Sequence, residues 1–321
     1  MTVLRVPPES AGQRVDVFVQ SQLRRTSRTR AHHISKASAY DPEGRRLRPG
    51  SRVRSEQHVL LWRPPWDETP VPTEVPVIWE DEHLLVVDKP ANLPVHPTAR
   101  YYRNTLIKVL QAERPDQWLS LGHRLDRETS GVLILSKTLE CDRALKRMLE
   151  AREGIEKVYE AITWGVPRPL GSEAPAKEGV RFRADLPMEL DPVAPSRVKM
   201  RVSPTGVEAA TRFVVIGVSA SGRYARVRCE LETGRQHQIR VHLEALGAPI
   251  VGDKLYGPDE ELFARNADGA MTDEDWERLE LPRHALHAMR LELPHPMTGR
   301  PLVLVAPLPR DLEEFWDKNR A

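Results

Sequence analysis

The stretch that decides the fold is His123-Arg124-Leu125-Asp126-Arg127-Glu128-Thr129-Ser130-Gly131, which leads directly into the apolar run Val132-Leu133-Ile134-Leu135. The run is short, continuous and rich in branched side chains, and a glycine precedes it, so it predicts a buried β-strand. Five of the six residues at 123–128 are ionisable. A carboxylate held against basic groups at the mouth of a rigid strand suits a nucleophile or a base. Most charged loops before strands are simply solvated, and composition alone does not decide between the two interpretations.

The order of residues in this stretch is more specific than its composition. Written as His-Arg-Leu-Asp-x-x-Thr-Ser-Gly, it resembles the signature of the RluA-type pseudouridine synthases, with every fixed position matched. The resemblance implies an enzyme that isomerises uridine to pseudouridine in structured RNA. It also implies that Asp126 is the nucleophile, attacking either the base or C1′ of the ribose.

Two shorter segments are similar to other motifs of the same family. Residues 89–97 resemble its first motif, with Asn92 at a position where glycine is usual. Asparagine tolerates a positive φ better than most residues, so we expect the turn to be retained. The Lys-x-Tyr element falls on Lys157 and Tyr159, within the alternating strand predicted at 156–165. Residues two apart on a strand point to the same face.

A further segment, Thr233–Gly247, resembles the family's Thr-Gly-Arg-x-His-Gln-Ile-Arg-Val-His element, with Gln236 where Thr or Lys is more usual. Its periodicity predicts a helix that follows Thr233 and ends at Gly247. The resemblance makes Arg240 the partner of Asp126. Such a partner is needed because a pocket that excludes water raises the pKa of a carboxylate, and a nearby cation opposes that shift.

The resemblance also assigns residues to the substrate. Tyr159 would stack on the target base and could help to remove its C5 proton. Arg124 would fill the space left by the flipped nucleotide or pair with phosphate. Basic clusters at 24–30 and 45–48 are typical of a surface that faces phosphate. The residues predicted to contact RNA are His123, Arg124, Lys157, Arg235, His237, Arg24, Arg25, Arg28 and Arg30.

Length and composition favour two domains in an α+β protein. The chain has 321 residues, of which 40% are hydrophobic and 29% charged, with a net charge of +2. We predict a small N-terminal α/β RNA-binding domain at 1–62, a Pro-rich linker at 63–76 and a catalytic domain at 77–321. For the catalytic domain, the resemblance implies the pseudouridine synthase fold, which is built on a mixed, largely antiparallel sheet.

The N-terminal domain is predicted from two helical patterns, at 12–23 and 28–36, and from strand-like residues at 59–62. This order resembles a small RNA-binding module named after a ribosomal small-subunit protein. The sequence departs from that module at residues 37–42, where Ala-Ser-Ala-Tyr-Asp-Pro replaces the usual apolar strand. The module favours ribosomal RNA as the partner, with transfer RNA as the alternative.

Other function classes fit the residues less well. Two cysteines cannot form a disulfide framework, and the histidine spacings do not predict a metal site. Asp126 and Glu128 form a candidate glycosidase pair by proximity alone. The isomerisation needs no metal or redox cofactor, so we expect none. A catalytically silent RNA-binding factor on the same fold stays open. No apolar run is long enough to span a membrane, and we expect a cytoplasmic monomer.

Overall fold

The chain forms two compact units, an N-terminal unit of residues 1–67 and a C-terminal unit of residues 68–321. The computed structural model describes residues 2–23, 26–62, 68–97, 101–152, 154–194, 196 and 198–321. The sequence places residues 68–76 in a linker, but they begin the C-terminal unit. Glu68 accepts hydrogen bonds at 2.9 to 3.0 Å from the backbone N–H groups of residues 102–104, and Val71 and Val75 pack against the core.

The N-terminal unit packs two helices against a small sheet. Its elements are β1 (Thr2–Arg5), a 3-10 turn (Pro8–Ser10), α1 (Val15–Gln22), α2 (Arg28–Ser38), β2 (Ala39–Tyr40) and β3 (His58–Leu61). The strands pair antiparallel in the order β1-β3-β2. The buried face of α1 is the one that the helical period predicts, with Val15, Phe18 and Val19 in the core. Strand β1 was not predicted from the sequence. The two-residue strand β2 lies within residues 37–42, where the sequence departs from the usual apolar strand of the module.

The C-terminal unit is built on a large twisted sheet. The strands of this unit are β4 (Val77–Glu80), β5 (Leu84–Lys89), β6 (Ser120–Leu121), β7 (Ser130–Ser136), β8 (Glu156–Trp164), β9 (Arg181–Asp185), β10 (Met188–Leu190), β11 (Met200–Val202), β12 (Ala210–Val218), β13 (Tyr224–Leu231), β14 (Leu286–Pro294) and β15 (Pro301–Val305). Strands β10 and β11 pair with each other in a separate two-stranded sheet. The main sheet has the order β4-β5-β7-β14-β8-β13-β12-β9, with β15 on β14 and β6 on β7. Within the described residues β7 and β14 pair parallel and the other neighbours antiparallel, so the prediction of a mixed, largely antiparallel sheet is confirmed.

Helices cover this sheet and carry part of the site. They are α3 (Leu106–Glu113), α4 (Leu139–Ala151), α5 (Gln238–Ala245), α6 (Glu261–Asp268), α7 (Asp273–Leu279) and α8 (Arg310–Asn319). Helix α5 begins later than its periodicity predicts, because His237 adopts a left-handed conformation with φ 58°. Thr233 therefore does not cap the helix, and its hydroxyl donates to the side-chain oxygen of Gln238 at 2.7 Å. No helix in the described ranges is long and apolar enough to cross a membrane.

Strand β7 lies between two hydrophobic layers, as its continuous apolar run predicts. Leu133 and Leu135 belong to the core cluster on one face, while Val132 and Ile134 belong to the cluster on the other face. Both layers shield the strand from water, so the loop that precedes it rests on a rigid support.

Gly131 allows β14 to approach the start of β7. It has φ 112°, and a Cβ at this position would lie 2.2 Å from the carbonyl oxygen of Ala288. The parallel register pairs Gly131 with Ala288 and Ser130 with His287. This close approach brings the segment before β14 against the polar loop 123–129.

We predict that Gly131→Ala destabilises the C-terminal unit by ~3 kcal/mol, because it adds a backbone clash to an unfavourable φ. Gly222→Ala is the matched control, since Gly222 also has a positive φ but its Cβ would meet nothing within 4 Å. The control should lower the free energy of unfolding by about 1 kcal/mol. Urea denaturation followed by tryptophan fluorescence measures both; equal losses would mean that the close approach to Ala288 is not a constraint.

Candidate active site

Three polar side chains predicted as a group line one cavity of about 70 Å³ in the C-terminal unit. Asp126 lies in the loop between β6 and β7, Tyr159 on β8 and Arg240 on α5. They are brought together although 114 positions separate Asp126 from Arg240. The same cavity is also lined by Arg124, Arg235 and His237.

Arg240 lies between two carboxylates. Its Nη1 donates to Asp126 Oδ2 at 2.9 Å. Its Nε and Nη2 donate to the two oxygens of Asp253 at 2.6 and 2.9 Å. The bidentate fork therefore faces Asp253, whereas the sequence motif predicted a partnership with Asp126 alone. Both Arg240 and Asp253 are buried, so the guanidinium is held in a fixed orientation.

Asp126 is set up to stay ionised. Burial would raise the pKa of its carboxyl group, but His237, once it is protonated in acid, together with the charge of Arg240 and the hydrogen bond from Arg240, holds that pKa below its usual value. Near neutral pH, where His237 is uncharged, Arg240 supplies the positive charge beside the carboxylate. The side chain remains 29% exposed towards the cavity. Since Arg240 binds Oδ2, the other oxygen, Oδ1, is available to a ligand; His237 Nε2 lies 3.8 Å from it.

Tyr159 presents its side chain to the same cavity from a buried position. Burial and the nearby charge of Asp126 both raise the pKa of its hydroxyl group above the usual value. The hydroxyl is therefore protonated near neutral pH in the ligand-free site. A protonated phenol offers an aromatic face and a hydrogen-bond donor, and it is a weak base until that proton leaves.

Other residues predicted to contact RNA lie elsewhere. Lys157 lines a neighbouring groove of about 560 Å³ that also takes in Arg152 and Arg212. His123 is absent from the lining of either cavity, and burial and the charge of Lys157 lower its pKa to about 3. In the N-terminal unit Arg28 and Arg30 are exposed on α2. Arg24 and Arg25 lie outside the described residues.

Glu128 is only two positions from Asp126, but its carboxylate is fully engaged in contacts that hold the loop in place. Lys254 donates to both of its oxygens at 3.1 Å, Arg127 donates at 2.8 Å, and the backbone N–H of His284 donates at 3.2 Å. Burial opposes ionisation, but the charges of Lys254 and its other neighbours and the hydrogen bond from Arg127 together outweigh it and lower the pKa of Glu128 to about 2. With its oxygens occupied, Glu128 cannot serve as the second carboxylate of a glycosidase.

Lys89 supports the loop from below. It is fully buried, and its Nζ donates to the backbone carbonyls of Pro90, Leu93 and Arg127 at 2.8, 3.0 and 3.1 Å. These three acceptors match the three N–H groups of a charged ammonium. Burial opposes that charge and lowers the pKa of Lys89 to about 7. The contact with Arg127 fixes the residue next to Asp126, so the first motif positions the loop.

Several residues that complete the site were not predicted from the sequence. Asp253 accepts from Arg240 and from the backbone N–H groups of Leu255 and Tyr256 at 2.9 and 3.0 Å. His284 Nε2 lies 2.7 Å from Thr129 Oγ1. The sequence signal that could have indicated Asp253 was Arg240, because a buried guanidinium that uses one nitrogen for Asp126 needs an acceptor for its other nitrogens. Among the described residues no group of three or more His, Cys, Asp or Glu side chains could hold a metal ion.

Comparison with known proteins gives one consistent result. The family model described as RNA pseudouridylate synthase matches residues 83–245. The ribosomal large subunit pseudouridine synthase D of Pseudomonas aeruginosa is 36% identical over 317 residues, which cover 95% of this chain and 92% of that protein. The protein of the same name from Xanthomonas campestris pv. campestris is 34% identical over 322 residues, with coverages of 98% and 91%.

The solved structure of human RNA pseudouridylate synthase domain containing 4 is also similar. It superposes with a TM-score of 0.56 at 28% sequence identity. The match covers 76% of this chain and 92% of that chain. The relationship therefore extends from sequence to three-dimensional fold.

We predict that acid destabilises the fold through its buried histidines. Burial lowers the pKa values of His237, His242, His284 and His287 to about 4, against 6.5 in an unfolded chain. Between these values the unfolded chain binds more protons, so the free energy of unfolding is highest above pH 6.5 and falls as the pH drops towards 4. Each histidine contributes a slope of up to about 1.4 kcal/mol per pH unit.

Urea denaturation at several pH values between 4 and 7 measures this slope. His242→Gln should flatten the profile because it removes one buried imidazole, whereas His33→Gln, on the exposed surface of α2, should leave it unchanged. A slope that is the same in both variants would contradict the assignment of acid sensitivity to the buried histidines.

Proposed function

This chain belongs to the RNA pseudouridylate synthase family and is an RNA pseudouridine synthase, and from that premise we propose that Asp126 is the nucleophile of the isomerisation. The observation that carries the proposal is the 2.9 Å contact between Arg240 Nη1 and Asp126 Oδ2 at the wall of a cavity that Tyr159 also lines. Arg240 keeps the carboxylate ionised where water is excluded, and it leaves Oδ1 to the substrate.

The reaction explains why such a carboxylate is needed. The N1–C1′ bond of the target uridine breaks, the base turns, and a C5–C1′ bond forms; the C5 proton leaves and N1 takes up a proton. Asp126 would hold the detached fragment covalently, attached either at the base or at C1′, so that neither part escapes. The target nucleotide must first leave the RNA stack, at a cost of a few kcal/mol.

We assign Tyr159 to the base and the surrounding cations to the phosphates. Tyr159 would stack on the flipped uracil. Because its resting hydroxyl is protonated, it can take up the C5 proton only in a step that passes its own proton on. Arg124 and Arg235 line the cavity and would contact the RNA backbone near the target, and Lys157, in the adjacent groove, would contact a neighbouring nucleotide. His123 lies outside both cavities, so its contact with RNA is carried by the sequence resemblance alone.

Asp126→Asn is the direct test, because it keeps the shape of the side chain and removes its charge. We expect tritium release from uridine labelled at C5 to fall to background, while the affinity for RNA changes by no more than a few-fold. Arg240 keeps Asp253 as its partner in this variant, so the fold should persist. A variant that retained a measurable fraction of turnover would refute Asp126 as the nucleophile.

Wild-type protein that binds RNA but releases no tritium would instead favour the alternative, a silent RNA-binding factor. The assay therefore separates failure of the residue assignment from failure of the activity. Tyr159→Phe is a useful companion, since an unchanged rate would restrict Tyr159 to packing.

We propose large-subunit ribosomal RNA as the substrate, with transfer RNA as the alternative. The support is twofold: two relatives of near-equal length are named as large-subunit synthases, and the N-terminal unit presents basic side chains. On α2 the buried face carries small residues, whereas Arg28, Arg30, His33 and Lys36 face outwards. We expect a monomer that acts in the cytoplasm on this RNA and uses no cofactor.

Pseudouridine mapping in cells that lack this protein tests the substrate. We expect specific pseudouridines to disappear from large-subunit ribosomal RNA and to return with the wild-type gene. Complementation with the double variant Arg28→Ala/Arg30→Ala should restore them incompletely, because phosphate contacts supply much of the affinity for RNA. Loss confined to transfer RNA would overturn the ribosomal assignment, and full restoration by the double variant would remove these arginines from RNA binding.

A further inference from the structure

His237 occupies an unusual position beside the cavity. It precedes α5 with φ 58°, a left-handed conformation that is uncommon for a residue other than glycine. Its side chain is only 10% exposed. Its two ring nitrogens face different groups: Nδ1 lies 2.9 Å from the hydroxyl of Tyr256, and Nε2 lies 3.8 Å from Oδ1 of Asp126. The backbone conformation therefore directs the imidazole between a tyrosine and the candidate nucleophile.

The partners of Tyr256 decide which nitrogen of His237 carries the proton. The backbone N–H of Met200, on β11, donates to the Tyr256 hydroxyl oxygen at 2.9 Å. The hydroxyl proton then needs an acceptor, and within the described part of the chain His237 Nδ1 is the one within reach. Because Nδ1 accepts the hydrogen bond from this hydroxyl, it carries no hydrogen of its own, and the neutral ring carries its hydrogen on Nε2.

The opposite tautomer fits poorly. With the hydrogen on Nδ1, the Tyr256 hydroxyl would receive two donors and its own proton would lack a partner. The Nε2 lone pair would also face the negatively charged Oδ1 of Asp126. The ring is neutral near pH 7 because burial and the charge of Arg240 lower the pKa of His237 to about 4. A second proton on the ring therefore does not resolve the conflict.

We propose that His237 is a positioning residue for the reaction: the chain from Met200 N–H through the Tyr256 hydroxyl fixes its Nε2–H tautomer, which directs a donor at the free oxygen of Asp126. Arg240 holds Oδ2 and His237 faces Oδ1, so the two oxygens of one carboxylate have different neighbours. The separation of 3.8 Å is too long for a hydrogen bond in the ligand-free site. It leaves Oδ1 without a hydrogen bond in the ligand-free site, and we expect RNA binding to shorten the contact.

The position of the ring of Tyr256 supports the same arrangement. The guanidinium carbon of Arg240 lies 4.9 Å from the centre of that ring, and the imidazole of His237 meets the ring edge-on at 5.7 Å. Tyr256 therefore packs against both groups that face Asp126. This inference rests on the proposed role of Asp126, and it adds residues that act on the reaction through the nucleophile.

The tautomer can be measured without any turnover. In ¹⁵N-labelled protein, ring-nitrogen correlation spectra should show His237 with hydrogen on Nε2 and a bare Nδ1. Tyr256→Phe keeps the aromatic ring and removes the hydroxyl, so the two tautomers should then mix. Hydrogen on Nδ1 in the wild type would overturn the proposal. Because this readout needs no RNA, it stands even if the proposed activity fails.

A double-mutant cycle tests the functional consequence. His237→Asn removes the imidazole but suits the left-handed backbone, and it should lower the single-turnover rate by roughly ten- to a hundred-fold at unchanged affinity for RNA. His237→Gln places an amide donor near the Nε2 position and should recover part of the rate. Tyr256→Phe should cost roughly tenfold in the wild type but less than about twofold in the His237→Asn background, because its effect acts through the ring.

Tyr224→Phe is the matched control, since it removes another buried tyrosine hydroxyl, one that donates to Glu280 outside the site. Its rate should match that of the wild type. Equal losses from Tyr256→Phe in both backgrounds, or a loss in affinity for RNA instead of rate, would overturn the positioning role. If the wild type itself shows no turnover, the proposed function fails and the spectra alone decide the tautomer.

Discussion

One buried guanidinium, that of Arg240, determines the arrangement of the site. It donates two of its N–H groups to Asp253 and a third to Asp126, so a single positive charge serves two carboxylates. Asp253 tolerates full burial because it also accepts two backbone N–H groups. Asp126, with one hydrogen bond from Arg240, has fewer partners, and this difference leaves its Oδ1 free for the nucleophilic role that we propose. A lysine could not divide its charge between two carboxylates in this planar geometry.

Two carboxylates in one loop illustrate how environment sets the role of a residue. Asp126 and Glu128 are two positions apart, and both are held ionised against the cost of burial. Glu128 is surrounded by Lys254, Arg127 and a backbone N–H, so its charge is used to tie the loop to the segment before β14. Asp126 has an oxygen facing the cavity. Glu128 makes the loop rigid, and the rigid loop orients Asp126, the proposed nucleophile.

The sequence predicted more of the fold than of the residues that hold the active-site side chains in place. A continuous apolar run predicted β7, an alternating one predicted β8, and the helical period predicted α1 and α2, because local patterning reflects which face is buried. The start of α5 was wrong, since the left-handed His237 depends on tertiary contacts that no local pattern records. The motif placed Asp126 and Arg240 correctly as neighbours. It missed Asp253, Tyr256 and Lys254, whose roles follow from contacts between segments that only the folded chain brings together.

The charge distribution of the cavity suits a nucleotide with a neutral base and charged phosphates. Near neutral pH the Tyr159 hydroxyl is protonated and the His237 imidazole is uncharged, so Arg240 and the two carboxylates that it contacts are the charges closest to the proposed position of the base. Asp253 is occupied by Arg240 and two backbone N–H groups and does not line the cavity, so a flipped uracil would meet Asp126, with its Oδ1 free, as the carboxylate of the cavity wall. Arg124 and Arg235 also line the cavity, where phosphates that follow the base would meet positive charge. The cations that would attract the phosphates and the carboxylate that would act on the base need not compete, because they would contact different parts of the same nucleotide.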